Sequence, residues 1–170
     1  MSAKLPDVPP LLDRLAAGLE ALLADEGRGR CTLVGIHSGG VWLAEALHQR
    51  LGLAGAPGAL DIAFYRDDLA RSGMQARVRP SRLPLTVDDR VVILVDDVLY
   101  TGRTVRAALN EVFDYGRPAA VRLAVLVDRP GRELPIAADV AATRLELPAG
   151  QRVKLQGPAP LRLVLEGGAP

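Results

Sequence analysis

Residues 91–104 read VVILVDDVLYTGRT, and the class of fold turns on how that stretch is understood. Val91 to Val95 is an unbroken apolar run of mostly β-branched residues. Such continuity implies burial on both faces, as in a parallel sheet with helices on each side. Asp96 and Asp97 follow at the carboxyl end of this strand, where open α/β folds place their ligands. Thr101, Gly102 and Arg103 then make a turn, and a helix begins near Thr104. Glycine lets backbone N–H groups come close to a phosphate. The helix amino terminus supplies unpaired donors and a partial positive charge, so an anion is favoured there. Thr101 and Thr104 contribute hydroxyl donors and Arg103 contributes charge.

Two adjacent carboxylates beside an anion site need a reason, because they repel phosphate. A ribose supplies one: a carboxylate accepts hydrogen bonds from the cis diol, as in dinucleotide sites. A ligand carrying both a 5′-phosphate and a ribose diol therefore fits the acidic pair plus the turn. Other phosphate motifs are missing, since the chain has no G-x-x-x-x-G-K-[ST] stretch and no G-x-G-x-x-G after a strand. No histidine or further carboxylate cluster stands nearby to make the pair a metal centre.

Working outward, helical and strand-like spacing alternate. Leu11, Leu12, Leu15, Leu19, Leu22 and Leu23 recur at helical intervals and stop near Gly27. Cys31 to Ile36 reads as a buried strand bounded by Gly39 and Gly40. A second helix carries Val41, Leu43, Ala44 and Leu47 and ends before Gly52. Leu60 to Phe64 is expected as a strand. Val105, Ala108, Leu109, Val112 and Phe113 form the apolar stripe of a third helix that stops at Gly116, and Val121 to Val127 is another strand. The alternation predicts βαβ units in an open, largely parallel α/β sheet. From about Asp139 onward, short strand-like pieces broken by prolines are expected as antiparallel additions at one end of the same domain. The stretch from Arg66 to Arg82 has little periodicity but contains Arg66, Arg71, Arg77, Arg79 and Arg82, which suits a flap over a phosphorylated ligand.

The chain has 170 residues, which fits one domain spanning 1–170. A formal net charge of +1 argues against binding polyanions by bulk charge. Aromatics at 4% argue against base-stacking platforms and require an aliphatic core. The single cysteine, Cys31, excludes an internal disulfide and multi-cysteine zinc sites and reads as a small buried hydrophobe. No apolar signal-peptide core opens the chain and no apolar run reaches membrane-spanning length, so a cytoplasmic protein with no membrane partner is expected.

VILVDDVLYTGRT resembles the phosphoribosyl pyrophosphate (PRPP) motif of type I phosphoribosyltransferases, and in detail that of their PyrR family. The resemblance extends to VGIHSGG (Val34 to Gly40), LDIAFYRDDL (Leu60 to Leu69), NEVFDYGRP (Asn110 to Pro118) and LAVLVDRPGRELPI (Leu123 to Ile136), and it covers most of residues 10 to 156. It implies the type I phosphoribosyltransferase fold, an open sheet flanked by helices with a C-terminal hood of short strands. It also implies a reaction: uracil and PRPP give UMP and pyrophosphate, with Mg2+ bound alongside PRPP and no metal held by side chains directly. Relatives form dimers and larger assemblies, so a homo-oligomer is implied as well.

Carried onto this chain, Asp96 and Asp97 would hold the ribose hydroxyls. Val98, Leu99, Tyr100, Thr101, Gly102, Arg103 and Thr104 would line the 5′-phosphate, with Tyr100 as a wall of the pocket. His37, Ser38, Gly39 and Gly40 would form the pyrophosphate loop. The flap bearing Arg66 would close during chemistry, and the loop Asp128 to Ile136 would border the uracil pocket. Two positions depart from the family pattern. His37 stands where a basic residue, commonly arginine, is usual, which weakens the hold on pyrophosphate near neutral pH. Members that bind pyrimidine leader messenger RNA use histidine and arginine where this chain has Gly131 and Ala137, although Arg132 and Arg152 remain. Loss of basic contacts weakens RNA binding steeply. A regulator that binds such RNA with little catalysis, and a transferase of orotate or a purine, are the rival readings. His48 is expected as a surface or packing residue, and Trp42 to pack beneath the glycine turn.

Overall fold

A computed structural model describes residues 4–63, 81–83 and 86–168. Its centre is a five-stranded parallel sheet in the order β2-β1-β3-β4-β5. The strands are β1 (Cys31–Ile36), β2 (Gly58–Leu60), β3 (Val91–Leu99), β4 (Ala120–Asp128) and β5 (Val140–Arg144). Helices α1 (Val8–Glu26), α2 (Gly39–Leu51) and α3 (Arg103–Tyr115) cover its faces. A separate antiparallel pair, β6 (Arg152–Gln156) and β7 (Arg162–Glu166), forms the hood.

The uninterrupted apolar run of β3 is divided between two cores by the strand's period of two. Val91, Ile93 and Val95 face α1, α2 and the hood, packing with Leu15, Leu19, Leu43, Leu47 and Leu155. Val92 and Leu94 face the opposite layer with Val105, Ala108 and Val112 of α3. β1 divides in the same way, with Leu33 in the first core and Val34 and Ile36 in the second. Cys31 is buried, as its apolar surroundings predict, and its thiol donates to the Gly27 carbonyl at 3.4 Å. Burial pushes that thiol above its usual range, and the nearby Glu26 carboxylate adds to the effect.

Three expectations need correction. The strand expected over Leu60 to Phe64 lies instead at Gly58–Leu60, and Phe64 is outside the described residues. The cause is local: the Asp61 carboxylate accepts the Ala63 N–H at 2.9 Å, closing a turn that ends the strand. Ala59 meanwhile exchanges two 2.7 Å hydrogen bonds with Arg82, which brings the chain back to this edge of the sheet.

The piece beginning at Asp139 is β5, parallel to β4 rather than antiparallel. Asp139 explains this, because its N–H donates to the Leu123 carbonyl and its carboxylate accepts the Leu123 N–H, both at 2.8 Å. This double bond pins the start of β5 beside the middle of β4, so the intervening loop must return down the sheet. Only β6 and β7 match the antiparallel expectation. Phe113, assigned to the buried stripe of α3, is 56% exposed. One residue beyond Val112 is about 100° further round the helix, which carries Phe113 off the core face.

Among the described residues no helix is long and apolar enough to cross a membrane. Leu19 is fully buried in the core between α1 and the sheet. Leu19→Ala should therefore cost about 3 kcal/mol of unfolding free energy, read as a lower urea midpoint at unchanged m-value.

Candidate functional site

The carboxyl ends of the parallel strands gather three pieces of chain. The first is the end of β3. Asp96 is 5% exposed, and its carboxylate accepts the Asp97 N–H at 2.9 Å. The Asp97 carboxylate accepts the Val98 N–H, also at 2.9 Å. Each acid is thus held by the next backbone donor, which fixes its orientation.

The second piece is the turn from β1 into α2. His37 N–H donates to the Leu60 carbonyl at 3.0 Å, which ties this turn to the neighbouring strand, and the His37–Ser38 peptide is cis. Ser38 precedes the helix, and its carbonyl accepts the N–H groups of Val41 and Trp42. The turn lies directly against the acidic strand end. A Cβ on Gly39 would sit 2.8 Å from an Asp97 carboxylate oxygen, and one on Gly40 would collide with the Val95 carbonyl. A Cβ on Gly35 would in turn lie 2.5 Å from the Gly40 carbonyl oxygen. Gly35 and Gly40 are held against backbone that cannot give way, and Gly39 against the Asp97 side chain.

The third piece is the turn into α3. Gly102 adopts φ +94°, a left-handed conformation natural to glycine, and its carbonyl accepts the Arg106 N–H. Thr101 Oγ1 accepts the Arg103 N–H at 3.2 Å. The first turn of α3 leaves N–H groups at the helix amino terminus without intrahelical partners, suited to an anion. The Arg103 side chain reaches the Glu133 carboxylate at 3.2 Å on the exposed side of the turn. Both Glu133 and Leu134 donate their N–H groups to the Thr101 carbonyl, so the loop after β4 braces this turn.

That same loop builds a second wall. The Tyr100 ring lies over the Arg129 guanidinium, 4.3 Å from its carbon to the ring centroid. Arg132 bonds to the carbonyls of Tyr100 and Arg129 and forms a 2.7 Å ion pair with Asp128. Beside Tyr100 and Arg129 opens a cavity of about 410 Å³, lined also by Pro148, Gln151 and Arg152.

Residues 4–150 match the family described as phosphoribosyl transferase domain. The chain is 55% identical to the bifunctional protein PyrR of Nitrosococcus oceani over 94% of this chain and 92% of that protein. Against the bifunctional protein PyrR of Pseudomonas aeruginosa the identity is 54%, with 94% of each chain covered. The chain belongs to the PyrR family of phosphoribosyltransferases. Its fold is also similar to that of a hypoxanthine-guanine phosphoribosyltransferase from Bacillus anthracis, with a TM-score of 0.67, 15% identity, and 88% and 86% of the two chains covered. A hypoxanthine phosphoribosyltransferase from Trypanosoma cruzi gives a TM-score of 0.66 at 20% identity, with 85% and 79% covered.

The residues singled out in the sequence therefore divide as follows. His37 to Gly40, Asp96, Asp97 and the turn Val98 to Thr104 come together at one end of the sheet of this PyrR family member. Arg66 lies outside the described residues. Arg132, read as an RNA contact, directs its guanidinium to acceptors within the site wall, whereas Arg152 stays exposed at the rim of the cavity. Trp42 packs against Gly157 of the hood and His48 Nε2 meets the Ala54 carbonyl at 3.3 Å, both packing roles. Sequence reading missed the burial of Arg129 beneath Tyr100. Its only signal is an arginine directly after an apolar strand.

Gly40→Ala should disrupt both stability and activity, because the neighbour its methyl meets is backbone and cannot swing aside. Gly29→Ala, with nothing within 4 Å, should leave both unchanged. Thermal melts and a turnover assay on the two variants check this contrast.

Proposed function

We propose that the chain transfers the phosphoribosyl group of PRPP to uracil, releasing pyrophosphate and forming UMP. The observation that supports this most directly is the close approach of the glycine turn to the acidic end of β3, the strand that leads through Thr101 and Gly102 into the α3 amino terminus. One anion-binding turn would be enough for a simple phosphate ligand. Two such turns on either side of paired carboxylates suit a pentose with phosphate at one end and pyrophosphate at the other.

Asp96 and Asp97 accept the ribose 2′ and 3′ hydroxyls, which orients the sugar and its C1′. The turn from Val98 to Thr104 receives the 5′-phosphate through backbone N–H groups and threonine hydroxyls. The turn from His37 to Gly40 faces the pyrophosphate. As the C1′–O bond breaks, positive charge grows on the ribose carbon and negative charge on the leaving group. Donors already in place stabilise that separation without reorganising. Among the described residues no group of three histidine, cysteine or acidic side chains is arranged to hold a metal. Mg2+ would enter this site together with PRPP, beside Asp96 and Asp97, and would supply charge neutralisation to the leaving anion.

A regulatory role through a pyrimidine leader messenger RNA is a second reading, favoured by the word bifunctional in the names of the relatives. Exposed Arg152 supports it, while the internal bonding of Arg132 removes one basic contact. Turnover assays across uracil, orotate and purine bases, run beside filter binding to the leader RNA, test both readings. Turnover confined to another base overturns the uracil reading, and absent RNA affinity overturns the regulatory one.

Two variants probe the assignment of residues. Asp96→Asn combined with Asp97→Asn should weaken PRPP binding by at least about 100-fold in calorimetry, since both charge-assisted bonds to the diol are lost. Normal binding by the double variant would refute the diol assignment. His37→Arg should lower the inhibition constant for pyrophosphate by placing a permanent charge in the turn. An unchanged or higher constant would exclude His37 from the leaving-group site.

A further inference from the structure

Glu111 stands on α3 more than two helical turns beyond Gly102 and one turn after the fully buried Ala107. It is half-buried at the flank of the core face, where a carboxylate needs a donor. The Ser81 hydroxyl supplies one, donating to Glu111 Oε1 at 2.7 Å. Ser81 Oγ in turn accepts the Asp61 N–H at 3.0 Å. That N–H belongs to the same peptide group as the Leu60 carbonyl, which accepts the His37 N–H at 3.0 Å. His37 opens the turn from β1 into α2. A line of hydrogen bonds therefore runs from this turn, across one peptide group, to a charged side chain on another helix.

The backbone pair between Ala59 and Arg82 explains why Ser81 is there. Its two 2.7 Å bonds set the returning chain antiparallel to β2, so residue 81 falls opposite Leu60. From that position a short hydroxyl side chain bridges to Asp61 on one side and Glu111 on the other. Every donor in the series points the same way, from His37 N–H through the Leu60–Asp61 peptide and the Ser81 hydroxyl to the carboxylate. Hydrogen bonds aligned head to tail polarise one another, and an ionised acceptor at the end strengthens them. Negative charge on Glu111 makes Ser81 Oγ a better acceptor, and after it the Leu60 carbonyl. Both side-chain bonds are partly buried, which limits screening by water. Glycine contacts with β3 fix the rear of the β1–α2 turn at Gly39 and Gly40, while the bond to Leu60 fixes its front.

We propose that Glu111 is a positioning residue for the leaving group: through Ser81 and the Leu60–Asp61 peptide it holds the His37 end of the β1–α2 turn where pyrophosphate is received. The inference rests on the proposed assignment of that turn to pyrophosphate and adds to it a residue that touches no substrate. It also links the two turns of the site, since α3 begins at the 5′-phosphate turn and carries Glu111 further along.

Magnesium pyrophosphate and UMP, titrated separately by calorimetry, test this without relying on turnover. Glu111→Ala should weaken pyrophosphate binding about fivefold, the loss expected for one hydrogen bond, and leave UMP within about twofold of wild type. Ser81→Ala should do the same, and the double variant should be no worse than Ser81→Ala, because both residues serve one series. Glu111→Gln keeps an acceptor for the serine hydroxyl and should recover most of the loss. If Ser81→Ala fails to fold, Glu111→Ala and Glu111→Gln carry the comparison, since both leave Ser81 in place to accept the Asp61 N–H. Unchanged pyrophosphate binding in folded Glu111→Ala overturns the role of Glu111. So do losses that add in the double variant, or equal losses for pyrophosphate and UMP alongside a lowered melting temperature. A wild-type protein that binds UMP but not magnesium pyrophosphate overturns the assignment of the turn itself, and the inference falls with it.

Discussion

The site depends on how closely the β1–α2 turn can approach the end of β3. Gly35, Gly39 and Gly40 contribute no side chains of their own to that contact, and the turn settles against the Val95 carbonyl, the Asp96 backbone and the Asp97 carboxylate. Any larger residue would push the helix amino terminus away from the acidic strand end. Parallel pairing of β1 with β3, from Cys31 opposite Val91 to Gly35 opposite Val95, sets the level at which the two meet. The sheet register and the three missing side chains therefore act together, and neither alone would place the two turns side by side.

Opposing charge demands are met within this small region by separating their means. In the proposed site the carboxylates act as side chains, while the donors assigned to the anions are backbone groups of two turns. Backbone donors carry only partial charge and no long flexible stem, so they can flank the acids without forming ion pairs that would quench them. The arginines around the site obey the same division. Arg103 and Arg132 are paired with Glu133 and Asp128 at its edges. Arg129, by contrast, lines the cavity from a buried position, with the Gln151 carbonyl and the Tyr100 ring as its partners.

The loop from Asp128 to Asp139 links the chemistry to the fold. Its first residues build the wall beneath Tyr100, its middle braces Thr101, and its last residue starts β5. A helix would be the usual way to return between parallel strands. Here the return is made by a loop that donates hydrogen bonds to the Thr101 carbonyl in the turn before α3, so the segment that closes the sheet also braces that turn.

Much of this protein is legible from local pattern alone. The continuous apolar run of β3, the leucine spacing of α1, and the coincidence of a strand end, two acids and a helix start all follow from short-range chemistry. The strand mismatch at Leu60 to Phe64 and the exposure of Phe113 arise because a carboxylate turn and a one-residue rotation override a generic apolar pattern. Tertiary structure decided what depends on distant partners: the parallel placement of β5 through Asp139 and Leu123, the ties of Arg132 to Asp128 and Tyr100, and the burial of Arg129. Spacing along the chain reports which face a residue occupies. Whether a charged side chain meets an acid, a carbonyl or an aromatic ring is settled only when segments far apart in sequence are packed together.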